Sequence, residues 1–229
     1  STSMFTDVSI SKFDSSGSFI HYATFLGGYS TDIPHSLFVN ENNELYVFGS
    51  TGSMDFPVTP NAYDTSFNFG PYTTLSTSLK FPNGSDIFVS KFSADGSQLL
   101  ASTFIGGSAN DGINTASILR KNYADDNRGE ILVDDFSNVY VVSSTFSSDF
   151  PVTSNSFDTT YNGGQDVCIF KLSQDLSQLM WSSFLGGSSD DAGYSVFLAE
   201  DKSLYLCGGT RSADWPICGS VLSDSITGV

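Results

Sequence analysis

One unit occurs three times along this chain, and a tandem repeat of this size buries its apolar faces against its own neighbours. DVSISKF at 7–13, DIFVSKF at 86–92 and DVCIFKL at 166–172 align without gaps. Each continues into YATFLGG, ASTFIGG or WSSFLGG, then ELYVFGST, NVYVVSST or SLYLCGGT, and last MDFPVT, SDFPVT or ADWPIC. The spacing looks regular only by coincidence. From opening to closing aspartate there are 48 residues in the first and third copies (Asp7 to Asp55, Asp166 to Asp214) but 63 in the second (Asp86 to Asp149). The connection after the first copy is correspondingly longer than the one after the second. The underlying unit is about 65 residues, with extra residues placed near 66–84 and 118–132.

Each unit contains four apolar-rich runs of strand length separated by turns such as DSSGS, NENN, SADGS and AEDKS, without helical periodicity. Four antiparallel strands in a repeat too small to cover both faces is the pattern of a β-propeller blade. The expected fold is all-β: three four-stranded blades from residues 1–85, 86–165 and 166–229, with insertions near 66–84 and 118–132. Because propellers need about 4 to 8 blades, these residues are expected to belong to a larger ring. The remaining blades would come from the same polypeptide or from another chain.

The motifs D-x-[FV]-x-x-K-[FL], [TS]-F-[LI]-G-G, [LV]-Y-[VL]-x-[GS]-[SG]-T and D-[FW]-P-[VI]-T resemble the bacterial SBBP β-propeller repeat over nearly all 229 residues. The resemblance implies a scaffold of large secreted or cell-surface proteins, some exported by the type nine secretion route, whose machinery would be a partner. Two departures stand out. Ser143 replaces the glycine found at Gly49 and Gly208, and Cys218 replaces the threonine of the closing motif.

Composition narrows the function. The net charge of -16 repels phosphate backbones and anionic lipid, excluding nucleic acid and a basic membrane-binding face. No apolar run is long enough for a membrane-spanning helix, so direct membrane insertion is not expected. The three cysteines form neither a disulfide framework nor a zinc pattern. Cys168 and Cys207 read as small buried strand residues, and a Cys207–Cys218 bridge is open in an oxidising compartment.

Residues that recur in all copies read as serving the fold. The glycine pairs Gly27/Gly28, Gly106/Gly107 and Gly186/Gly187 suggest positive backbone φ at strand ends. Asp55, Asp149 and Asp214 suggest turn caps, with the following aromatic packed between blades. Lys12, Lys91 and Lys171 take three of the nine basic residues, implying that each is held near a carboxylate, either the opening or the closing aspartates. Asp32, Asp111, Asp190 and Asp191 follow the glycine turns; turn capping is the leading reading and calcium the alternative, although EF-hand spacing is absent.

Function is sought where the copies differ. The first insertion offers Phe67, Phe69, Tyr72 and Phe81 for a sugar face or a partner's pocket, or for packing on its own blade. The second offers Arg120, Lys121 and Tyr123 beside Asp125, Asp126 and Glu130. No catalytic motif, metal-ligand spacing or cofactor signature occurs, and His21 and His35 stand apart. The expected function is therefore a non-catalytic, secreted or surface-exposed module that binds a protein or a glycan, as in an adhesin. The rival is a carbohydrate-active enzyme using two carboxylates among Asp125, Asp126, Glu130, Asp134 and Asp135.

Overall fold

The computed structural model describes residues 5–121 and 125–226. Fourteen strands in chain order build it: β1 Val8–Phe13, β2 Ile20–Leu26, β3 Asp32–Val39, β4 Leu45–Thr51, β5 Thr73–Thr74, β6 Lys80–Phe81 and β7 Asp86–Phe92. The rest are β8 Leu99–Ile105, β9 Glu130–Val133, β10 Val139–Thr145, β11 Asp166–Leu172, β12 Leu179–Leu185, β13 Asp191–Leu198 and β14 Leu204–Thr210. The described chain contains no α-helix, only a 3-10 turn at Asp125–Asn127.

The sheets are phased differently from the repeats. Two four-stranded antiparallel sheets, β3-β4-β7-β8 and β9-β10-β11-β12, each take two strands from one copy and two from the next. The ends are two-stranded sheets, β1-β2 and β13-β14, so apart from the short β5-β6 pair in the first insertion the described residues hold two full sheets and two halves rather than three full ones. Units of 1–85, 86–165 and 166–229 therefore cut through the middle of each sheet. The reason is that motif order marks the repeat, whereas hydrogen bonding joins the strands on either side of the closing motif.

The sheets stack face to face. Tyr46 and Phe48 of β4 meet Val139, Val141 and Phe170 of the following sheet, while Leu45 and Val47 face Val8 and Ile10 of the preceding one. Every residue of β4 and β10 is buried, which explains their unbroken apolar runs. The end sheets lack one neighbour. Phe25 is 77% exposed, although its counterparts Phe104 and Phe184 are each 1% exposed.

The insertion bounds also shift. Asp64–Asn68 repeats as Asp158–Asn162, so Phe67 belongs to the repeat and packs on Phe104 as Tyr161 packs on Phe184; the extra residues follow Asn68. In the second copy Glu130–Val133 is strand β9 itself, and the extra residues lie between Asp111 and Glu130. This detour explains Ser143. A Cβ on Gly49 or Gly208 would strike the carbonyl of Ile33 or Ala192 in the bulged first strand, at 2.0 and 1.9 Å. In the second copy the chain leaves the sheet at that point, and a serine fits.

A substitution pair separates fold from sequence. Phe184→Ala is expected to cost about 3 to 5 kcal/mol, whereas Phe25→Ala, at the equivalent exposed position, should fall within about 0.5 kcal/mol. Urea unfolding of the two variants as single, unassociated chains checks this, and equal losses would contradict the packing described.

Candidate functional site

The recurring polar residues form one network per turn. Asp111 accepts from the Gly107 amide (2.8 Å), the Ser147 hydroxyl (2.9 Å) and the Thr145 hydroxyl. Asp32 repeats this with Gly28, Ser53 and Thr51, and Asp191 with Gly187 and Ser212. The closing-motif acids cap the same turns: Asp55 accepts from the Tyr29 amide, Asp149 from Ser108 and Asp214 from Ser188, at 2.8–2.9 Å. Asp190 instead pairs with Arg211 at 3.2 Å. Ser53, Ser147 and Ser212 carry a sequence signal of their own, a Ser-x-Asp that enters every closing motif.

The glycine pairs are needed for space, not for positive φ, which none of the six adopts. A Cβ on Gly106 would sit 2.8 Å from both Asp86 and Asp111, and one on Gly107 2.5 Å from Asp149. The lysines also differ from expectation. Lys91 pairs with Glu44 (2.9 Å) and Lys171 with Asp134 (3.2 Å), each above a tyrosine, Tyr46 or Tyr140, while Lys12 donates to the Ala94 carbonyl. The opening and closing aspartates sit at the other end of the strands.

The two insertions, which sequence alone could not connect, fold onto each other. The Ser76 amide donates to Asp126 at 2.6 Å, its hydroxyl bonds the same carboxylate, and Arg120 pairs with Asp126 at 3.0 Å. Arg128 pairs with Asp125 at 3.0 Å and stacks 5.0 Å from the Tyr194 ring, whose hydroxyl donates to the Leu119 carbonyl. Asp125 and Asp126 are buried, so this segment is a folded cap and not a solvated loop.

Beneath the cap lies a cavity of about 540 Å³. Its walls are Pro34, His35 and Ser36 of β3, Glu130 at the start of β9, and Tyr194 and Ser195 of β13; Thr77, Leu79 and Arg128 supply the rim. Glu130 accepts from the Ser195 hydroxyl and the Val196 amide. His35 contacts Ser50 at 3.1 Å, and enclosure of its ring pushes its pKa down to about 3, keeping the imidazole neutral.

Of the sequence candidates, Arg120 braces this mouth and Lys121 is exposed, its amide bonded to Asp125. Tyr123 lies outside the described residues. Phe67 and Phe81 are buried; Phe69 and Tyr72 are exposed but do not line the cavity. Asp134 is held by Lys171, and Asp135 pairs with Lys202 at 2.8 Å on the surface. His21 is exposed against Phe19. All three cysteines are free, and Cys207 is exposed because no sheet covers β14. Among the described residues, no three His, Cys, Asp or Glu side chains gather to hold a metal ion.

Comparison with protein-family models and with curated proteins finds no match to this chain.

The paired turn acids set a pH dependence. Burial raises Asp86 to about 8, Asp111 and Asp166 to about 7 and Asp32 to about 6. An unfolded aspartate titrates near 3.8, so the folded state retains protons that the unfolded chain has released, and stability is lost as pH rises through 6–8. Hydrogen bonds from Ser93 and Ser97 lower Asp95 to about 2, which acts at the opposite, acid end. Thermal melting should show Tm falling between pH about 5 and about 9, with a shallower fall in Asp86→Asn. A Tm that rises over this interval would mean that these carboxyls are ionised in the fold.

Proposed function

We propose that this chain is a non-catalytic β-propeller module, secreted or displayed on a bacterial surface, that binds a protein or a glycan at the capped mouth. The observation that carries this reading is the convergence of both non-repeated segments on one cavity. A scaffold that repeats everything else has diversified here, where loops on a rigid frame commonly hold function. Arg128, with half its side-chain surface open, lies over Tyr194 and offers a planar donor to a carboxylate or hydroxyl. Ser36, Thr77 and Ser195 line the same cavity.

The propeller arrangement is supported by the first strands of successive sheets, since β9 touches both β3 and β13 while the sheets stack behind them. Such contacts suit strands gathered about an axis. The secreted or surface location is supported by the acidic, charge-poor composition and by the SBBP-like motifs.

The enzymatic rival needs two carboxyl groups about 5 to 9.5 Å apart flanking a bond. Glu130 is the one carboxylate among the residues lining the mouth, and Asp125 and Asp126 are turned to arginines and backbone. This favours binding over hydrolysis.

Screening the chain against glycans and surface-protein fragments, for binding and for turnover, tests the reading. Thr77→Trp, which fills the mouth from an exposed position, and Arg128→Lys, which keeps the charge but loses the planar stack, should each weaken binding about tenfold or more with Tm unchanged. Turnover abolished by Glu130→Gln would establish the rival instead.

A further inference from the structure

The walls of the mouth are two bulged strands. β3 loses register between Pro34 and Ser36, and β13 between Gly193 and Ser195, so His35 and Tyr194 are the extra residues at the same place in their repeats. Both line the cavity. A bulge re-aims a side chain and interrupts the ladder. Here it brings Tyr194 under the Arg128 guanidinium, 5.0 Å from the ring, while the Tyr194 hydroxyl is tied to the Leu119 carbonyl of the cap.

The interruption decides how a ligand can be held. An extended peptide added to a sheet needs an unbroken row of edge amides and carbonyls. Beside the cavity β3 carries Pro34, which has no N–H, β13 is out of register, and β9 only begins, at Glu130. Recognition therefore falls to side chains.

Those side chains hold unspent hydrogen-bonding groups of both kinds. Glu130 receives the Ser195 hydroxyl and the Val196 amide on Oε2, leaving Oε1 without a donor among the described residues. Arg128 gives Nη1 to Asp125 and keeps further N–H donors, with half of its side-chain surface open. The side chains of Ser36, Thr77 and Asn127, which also line the cavity, make no hydrogen bond among the described residues.

Charge narrows the ligand further. Glu130 can only accept and Arg128 can only donate. An anionic ligand meets Glu130 in a chain of net charge -16, and a cationic one meets Arg128 at the rim. His35 adds no charge, because its enclosed ring stays neutral. A hydroxyl donates and accepts at once, so two neighbouring hydroxyls satisfy Glu130 and Arg128 together without bringing a charge. Pro34 and Leu79 offer apolar wall to the C–H face of a sugar ring. The volume of about 540 Å³ falls within the range of about 300 to 1,000 Å³ common for small-ligand sites. We propose that the mouth takes a neutral glycan, read through adjacent hydroxyls by Glu130 and Arg128. This rests on the capped mouth being the binding site and narrows its ligand to one class.

Calorimetry and ligand-observed NMR of the full chain with neutral trisaccharides of glucose, mannose, galactose and N-acetylglucosamine, beside trigalacturonate and trilysine, test it. At least one neutral trisaccharide should bind, uncontested by the charged probes. Raising NaCl from about 0.05 to about 0.5 M should change its Kd by less than about twofold, since no ion pair forms. Glu130→Gln and Arg128→Lys should each weaken it about tenfold or more. Ser36→Ala, which removes a hydroxyl that no protein group uses and so spares the fold, should weaken it about threefold. Preference for trigalacturonate or trilysine, lost as salt rises, overturns the proposal, as does a neutral sugar indifferent to all three substitutions or the absence of binding to every trisaccharide. In each of these cases the mouth survives as the site if Thr77→Trp blocks whatever does bind, a surface-protein fragment included. Sugar binding untouched by Thr77→Trp overturns both readings.

Discussion

The fold depends on the buried carboxyl groups at its turns. Asp32 and Asp191 open the first strand of their sheets, and Asp111 makes an isolated bridge to Thr145 at the equivalent place, yet each accepts from the glycine that ends the preceding sheet and from a serine just beyond the second strand of its own. The backbone reinforces the tie, because their amides donate to the carbonyls of Thr6, Ser85 and Gln165 at 2.6–2.7 Å. A buried carboxyl is tolerated only when donors surround it, and once surrounded it fixes their relative positions. The angle between neighbouring sheets is thus set at the turn, and face-to-face packing completes what the turn begins.

That division of labour leaves one end of the molecule free to vary. The turn networks lie at one end of the strands, and the lysine–tyrosine contacts lie at the other. The insertions leave the chain next to turn elements that recur in the other copies, after Asn68 and after Asp111, so neither disturbs a strand pairing that the next sheet needs. Their docking through Ser76 and Asp126 adds a local cap with its own charge balance, two arginines on two buried aspartates. The mouth gains chemistry without altering the frame beneath it.

Much of this frame was legible from residue patterns. Strand positions followed from apolar runs and turn residues, and the motif aspartates could be read as caps because their side chains act on nearby amides. The glycines were misread because a strand-ending Gly-Gly suggests left-handed backbone, whereas here it is the proximity of Asp86, Asp111 and Asp149 that excludes a Cβ. The lysine partners Glu44 and Asp134 do not occupy equivalent positions in their copies, so no repeated spacing announced them. The convergence of the insertions was invisible for a simpler reason. Ser76 and Asp126 are 50 residues apart, and nothing local in either segment encodes the contact.

The third turn shows how far a local motif relies on its neighbours. Asp32 and Asp111 each bond the threonine that ends the second strand, Thr51 or Thr145. Those threonines stand opposite Asp86 and Asp166 in the third strand, which holds them from outside. Among the described residues β14 has no such strand beside it, and the corresponding oxygen of Asp191 is buried without a hydrogen-bond partner although Thr210 is in sequence where it should be. The same residues thus make a complete network twice and an incomplete one once. The difference lies in the sheet and not in the motif, because Thr210 still accepts from the Ser212 amide as Thr51 and Thr145 accept from Ser53 and Ser147.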